Sequence, residues 1–361
     1  MRWLPAILIL PYIFILLKIY RSLLIIKPFS VVTGPSIFVS VVVACHNEQE
    51  KLALLLKSLS DQNYPGELFE VIIVNDNSTD KTSDAASTFR GIKNLVPLNN
   101  KGIGKKQAIR TGIKASKGKL IITTDADCRM GERWISTIAA FYAKHIADMI
   151  ICPVQIESES GFFGRFQELE FLSLQGITAG CVAAGEPTMC NGANLSFTRE
   201  AYLNNSENLH DDLTSGDDIF LLHSMKKNHS KILWLESSDA IVTTTSSPSI
   251  GSFLKQRRRW ISKGKAYSDG FTILQASATF LAILVQVSYL LAGIFYPEFL
   301  WVFLVVFLLK SVPDILILLN TCKRYGKRNL LIWFIPSQIV YPFYVLSVVC
   351  YSLISKTKQR K

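Results

Sequence analysis

Asp125 and Asp127 flank one small residue, Ala126. In an extended segment alternate side chains point the same way, so both carboxylates can face one ion. Magnesium or manganese accepts such oxygens together with substrate phosphates. The pair follows Leu120-Ile121-Ile122, an apolar run suited to a buried strand. A second run, Val71-Ile72-Ile73-Val74, ends at Asn75-Asp76. A carboxylate there can accept hydrogen bonds from a nucleobase or ribose, while residues 75–80 can also form an Asx turn and helix cap. Cys45-His46-Asn47-Glu48 follows another apolar run and places Glu48 by the same logic. His46 alone carries no catalytic assignment. Residues 100–106 join Gly102 and Gly104 to Lys101, Lys105 and Lys106 ahead of a helix. Lysines at a helix amino end favour phosphate, although a solvated basic turn has the same composition. Asp217-Asp218 and Gln256-Arg257-Arg258-Arg259-Trp260 come later in the chain.

Acids at the carboxyl ends of buried parallel strands are where open α/β sheets put ligands and metals. The elements expected to position them are strands at 37–44, 68–74 and 120–124, with helices at 48–59 and 104–115 between. That order predicts an α/β fold with a mostly parallel sheet and right-handed crossovers.

The ends of the chain differ. Residues 3–26 are apolar apart from Lys18, Arg21 and Ser22, long enough to span about 30 Å of hydrocarbon. No short small-residue cleavage site follows and Pro28 comes directly after, so an uncleaved anchor is expected rather than a signal peptide. Three more apolar segments, about 271–296, 299–319 and 330–353, are long enough to span. Basic residues at 18, 21 and 27 cluster at the carboxyl end of the first span, which predicts the amino terminus outside and residues 30–268 on the cytoplasmic side. By the same rule the basic loop 320–329 lies inside. The tail Lys356–Lys361, strongly basic, would then end outside against the rule, and Pro336 and Pro342 could kink the last segment. Its orientation stays open.

The 361 residues carry 39 basic and 28 acidic side chains, a formal net charge of +11, with 49% hydrophobic residues. Much of the excess basic charge flanks apolar segments, as at anionic lipid headgroups. No nucleic-acid motif accompanies it, so nucleic acid is not an expected partner. The seven cysteines are scattered, without a CxxC pair, which argues against structural zinc and for a reduced compartment.

Asn75-Asp76, Asp125-Ala126-Asp127, Asp217-Asp218 and Gln256-x-x-Arg259-Trp260 together resemble a membrane-bound family 2 glycosyltransferase over about residues 36–270. The last pentapeptide is similar to that of the synthases for cellulose, chitin, hyaluronan and poly-N-acetylglucosamine. The resemblance implies a Rossmann-like GT-A domain that uses nucleotide sugars, UDP sugars first, with inversion, plus transmembrane helices at both ends. It divides the chain into an anchor at 1–30, a cytosolic catalytic domain at 31–248, an interfacial segment at 249–270 and a membrane region at 271–361. By resemblance Asp76, Glu48, Lys105 and Asp125 bind the donor nucleotide and phosphates, and Asp125 and Asp127 hold Mg2+ or Mn2+. Asp218, beside Asp217, is the base. Gln256, Arg259 and Trp260 border diphosphate and acceptor, and Asn191 and Gly192 belong to the acceptor loop. The chain departs from the family where Asn75 and Asn77 replace an acid and a glycine, and in its small number of spans.

The physical reading agrees. A sugar hydroxyl is a poor nucleophile, so a carboxylate must take its proton during attack. A diphosphate leaving group needs charge neutralisation, which Arg259 can supply with a planar fork, and Trp260 can stack on a sugar ring. The same segment also reads as an interfacial basic helix, since residues 255–265 hold six basic side chains. Residues 161–176, mixed apolar and polar, fit a helix lying on the membrane or packed on the sheet.

The expected partners are the nucleotide sugar, a glycan or lipid acceptor, membrane lipids, and a homo-oligomer or export partner that could complete a polymer path. Single transfer to a lipid is the alternative within the class. A transporter is disfavoured by the few ionisable residues in the spans, Lys18, Arg21, Lys310 and Asp314. An inactive scaffold is disfavoured by retention of all four acidic sites with the pentapeptide.

Overall fold

The structure, a computed structural model, describes residues 3–31, 36–207, 209–210, 213 and 215–354. The basic tail at 356–361 and Arg2 lie outside them. The chain forms two compact units that interleave in sequence: Lys27–Glu157 with Met189–Thr245, and the described residues of Met1–Ile26, Ser158–Thr188 and Ser246–Lys358. Residues 158–188 therefore leave the stretch expected to be one catalytic domain.

The first of these units is built on a sheet. Helix α1 (Leu10–Leu24) precedes it in the chain. The apolar runs become strands β1 (Val39–Cys45) and β2 (Phe69–Asn75), followed by β3 (Leu95–Asn99) and β4 (Leu120–Asp125). Strands β1, β2 and β4 are buried along nearly their whole length, as strands covered on both faces must be. The crossovers run through α2 (Gln49–Ser60), α3 (Thr82–Thr88) and α4 (Lys105–Ala115). After β5 (Arg129–Met130) come α5 (Trp134–His145), β6 (Met149–Ile151) and β7 (Val154–Glu157). The chain leaves for α6 (Phe162–Ala183) and returns with β8 (Leu195–Thr198), α7 (Arg199–Asn205), α8 (Asp217–Lys227), β9 (Ile232–Trp234) and β10 (Val242–Thr245).

The main sheet has the order β3-β2-β1-β4-β8-β6-β9. Its first four strands are mutually parallel, and β8 runs antiparallel to both neighbours. Strand order reverses between β1 and β4, the switch point outside which such sheets bind ligands. The register is level there: Ala44 pairs with Asp125, Cys45 with Asn75, and Asn75 with Asn99. The acids that follow these strands thus emerge along one edge. A small sheet, β5-β10-β7, completes the unit.

The second unit holds α1, α6, α9 (Ile250–Ile261), α10 (Gly270–Phe295), α11 (Glu298–Arg324) and α12 (Phe334–Ile354). Among the described residues four segments are long and apolar enough to cross a membrane: Leu4–Leu24, Gly270–Phe295, Glu298–Arg324 and Arg328–Leu353. Helix α6, expected on the membrane or on the sheet, packs on α1 and α11 within its own unit. Gly176 permits this approach, since a Cβ there would sit 2.2 Å from Thr321 Oγ1. Arg324 Nη2 donates to the Leu23 and Ile26 carbonyls at 2.8 and 3.2 Å, and Lys18 Nζ stands 5.3 Å over the Phe271 ring. The carboxyl ends of α1 and α11 and the amino end of α10 therefore share one end of the bundle. Inside it, Lys310 pairs with Asp314 at 2.9 Å, and Gln338 and Tyr12 also bond to Asp314. Such mutual pairing is how an apolar bundle accommodates two charges.

Candidate active site

The loops after β1 and β2 are laced together. Asn47, with φ of 54°, accepts from the Thr79 amide at 2.8 Å, and the Glu48 amide donates to Thr82 Oγ1 at 2.9 Å. Asn75 Oδ1 accepts from the Ser78 amide, three residues on, at 3.1 Å, one residue further than in the Asx turn expected there. That contact leaves Asp76 aimed at the loop before α4. Its Oδ1 accepts from Asn100 Nδ2 at 2.7 Å and from the Gly104 amide at 3.0 Å. Gly104 adopts φ of 94° immediately before α4, a conformation that favours glycine. Glu48 is paired with Lys51 at 3.0 Å.

Lys105, the first residue of α4, reaches Asp125 Oδ1 at 2.5 Å. The two side chains remain 42% and 33% exposed, so an incoming anion can compete for the lysine. Burial alone draws the Lys105 pKa down, but Asp125, Asp217 and Asp218 around the ammonium reverse this and leave it above its ordinary value. One lysine thus feels three carboxylate charges, from β4 and α8. Asp127 Oδ2 accepts from Thr244 of β10 at 3.2 Å.

Asp217 and Asp218 open α8 directly after Gly216. Burial, and then the neighbouring Asp218 charge, push Asp217 above the usual carboxylate range, with Lys105 opposing. A carboxyl with a higher pKa folded than unfolded stabilises the fold below its unfolded pKa, and that contribution is lost as pH rises through the folded value. Ionised Asp217 is therefore a cost at neutral pH. Asp217→Asn is expected to raise the melting temperature at pH 7, and the gain should shrink in acid. Thermal shifts of the detergent-solubilised protein check this; an unchanged or lower melting temperature at pH 7 contradicts it.

The Asp218 carboxylate is oriented by two backbone donors, Gly192 N to Oδ2 at 3.1 Å and Ile219 N to Oδ1 at 2.8 Å. Asn191 Oδ1 accepts from the Ala193 amide at 3.0 Å and shapes the same loop. The loop is fixed from beneath by Asn194, whose amide bonds to Trp134 Nε1, Pro153 O and Ala240 O at 3.0, 2.7 and 2.8 Å. Asn100 and Asn194 lie in loops the sequence brought forward but were given no role of their own, and Thr244 was not singled out. Each acts through partners 24 to 117 residues away, which local pattern does not reveal.

Asp125 ends β4 and Asp127 lies in the turn after it, not in the extended segment expected from the sequence, so the pair offers two hard carboxylate donors at the end of the strand. Among the described residues no three His, Cys, Asp or Glu side chains converge as a metal cage. An Mg2+ or Mn2+ ion would take its other ligands from donor phosphates and water, as such ions commonly do. Gln256, Arg259 and Trp260 lie on α9 of the other unit, Arg259 exposed and the other two half-buried. Helix α9 starts with a capping box between Ser249 and Ser252.

Residues 40–204 match the profile of Glycosyl transferase family 2. The chain carries a family 2 glycosyltransferase domain. Asp76, Asp125, Asp127, Asn191 and Gly192 fall inside the matched span, while Asp217, Asp218 and the Gln256–Trp260 pentapeptide lie beyond it. The chain is 26% identical over 254 residues to the beta-monoglucosyldiacylglycerol synthase of Nostoc sp., covering 67% of this chain and 52% of that protein. It is 26% identical over 255 residues to the poly-beta-1,6-N-acetyl-D-glucosamine synthase of Staphylococcus epidermidis, covering 68% and 58%. It is 30% identical over 120 residues to the poly(ribitol-phosphate) beta-N-acetylglucosaminyltransferase TarS of Staphylococcus aureus, covering 32% and 21%. The chain thus spans 58% or less of each of these relatives. The mannosyltransferase PcManGT of Pyrobaculum calidifontis, solved with GDP-Man and Mn2+, superposes with a TM-score of 0.60 at 18% identity over 99% of this chain and 100% of that one. The glycosyltransferase domain shares that GT-A fold.

Proposed function

We propose that the protein is a membrane-bound inverting glycosyltransferase that moves a sugar from a nucleotide sugar, UDP-linked first, to a growing glycan at the cytoplasmic membrane face. The observation that carries this reading is the contact of Lys105 with Asp125, 2.5 Å apart at the sheet's switch point, with the charges of Asp217 and Asp218 also acting on the lysine. It supports a phosphate-binding role for Lys105 near a candidate base. Asp76 and Glu48 would hold the nucleoside, and Lys105 the donor phosphates. Asp218, oriented through Gly192 and Ile219, would take the acceptor hydroxyl proton as that oxygen attacks the anomeric carbon. The bond to the diphosphate breaks on the opposite face, and the leaving oxygen keeps the electron pair. A divalent ion held by Asp125 and Asp127 would neutralise charge on that leaving group. Arg259 would add a second cation and Trp260 an apolar platform for the acceptor ring. The cytoplasmic assignment rests on the basic residues 18, 21, 323 and 324, which belong to the shared end of α1 and α11.

Single transfer to a lipid is the second reading, favoured by the likeness to the beta-monoglucosyldiacylglycerol synthase. Product analysis with donor in excess separates the two. A ladder or long chains are expected; one sugar per lipid contradicts chain growth. Trp260→Phe is expected to retain more transfer than Trp260→Ala, because a ring still stacks. Equal activities would reduce Trp260 to an anchor.

A further inference from the structure

Between the motif residues Gln256 and Trp260 lies Arg257, a position the pentapeptide leaves unspecified. It is 3% exposed, while Arg259 faces solvent. Every part of its guanidinium is engaged. Nε and Nη2 donate to the two oxygens of Glu170 on α6 at 3.3 and 2.5 Å. Nη1 donates to Gln256 Oε1 at 2.7 Å. The guanidinium carbon lies 4.5 Å from the Phe253 ring centroid and 4.1 Å from that of Trp260. Phe253, Arg257 and Trp260 follow helical spacing and so share one face of α9. Glu170 in turn accepts from the Tyr344 hydroxyl of α12 at 3.3 Å.

We infer that Arg257 is a positioning residue: held by Glu170, it sets the side-chain orientation of Gln256 by a hydrogen bond and of Trp260 by stacking. The inference rests on the transfer reading for what those two side chains then do. A buried ion pair adds little net stability over apolar packing of the same volume, so stability alone is a weak reason for this one. The geometry asks for arginine, because a lysine ammonium cannot fork to a carboxylate, donate to an amide and lie flat on two rings at once. The guanidinium carbon lies 4.1 Å from the Trp260 ring centroid, so it holds the ring from one side. Glu170, whose side chain is 8% exposed, would therefore govern the acceptor side without touching substrate.

The test uses the full-length protein in detergent and two readouts. Transfer is measured with the donor that supports it. Exposure of Trp260 is measured as acrylamide quenching of the emission difference between each protein and its Trp260→Phe counterpart. Arg257→Met and Glu170→Gln are expected to raise Trp260 quenching and to lower transfer by about 10²-fold, the scale of a misplacement of roughly 1 Å. Arg257→Lys should fall between Arg257→Met and wild type in both. If the wild-type chain transfers no sugar, the transfer reading fails, and raised quenching still supports the positioning role. Unchanged quenching in both Arg257→Met and Glu170→Gln overturns the inference, as does raised quenching with wild-type transfer. Should these variants fail to fold, Tyr344→Phe removes one bond to Glu170, and its quenching and transfer are expected to shift in the same directions; no shift in either overturns the proposal.

Discussion

Asp218→Asn is expected to lower sugar transfer by roughly 10²–10⁴-fold, the range for loss of a general base, while nucleotide binding persists. The substitution preserves shape and removes the charge that must accept the acceptor hydroxyl proton. The contacts around it make the variant informative, since an amide oxygen can still accept from the Gly192 or Ile219 amide. Loss of transfer would then report lost basicity more than a displaced loop. Transfer at the wild-type rate rejects the assignment. If Asp217→Asn alone were inactive, the role would move one residue along α8.

Excess chelator is expected to lower transfer by at least about 10²-fold, since neutralising a leaving diphosphate contributes several kcal/mol and each 1.4 kcal/mol is tenfold. Added Mg2+ or Mn2+ should restore it. Asp127→Asn should raise the metal concentration needed for half-maximal rate. Asp125→Asn should do the same and also free Lys105 from its closest partner. Full activity in excess chelator would contradict a metal at this pair.

Strands β1, β2 and β4 were legible because they are almost wholly buried runs rich in valine and isoleucine, whereas β3, part-exposed and carrying Pro97, shows no such run. Strands β6, β8 and β9 were not, being three or four residues long, too short for any period to show. The shift of α6 into the apolar unit was also hidden. Its buried Gln167, Glu168 and Gln175 read as surface positions in a helix, yet their partners are Ser247, Lys327 and Tyr325, 80 to 159 residues away. The acids of the candidate site could be found from position alone. Their arrangement around one lysine could not, because α4, β4 and α8 come together only through the tertiary fold. Arg257 shows the same limit: as sequence it is one basic residue in a basic helix, and only Glu170 on a distant helix distinguishes it from its neighbours.

The most direct measurement of the central claim is release of free nucleotide by the purified full-length protein from a panel of UDP and GDP sugars, with products weighed by mass spectrometry. The account predicts release from one class of donor, an acceptor heavier by whole sugar units, and loss of both in Asp218→Asn. Release from no donor, or equal release by Asp218→Asn, would contradict it.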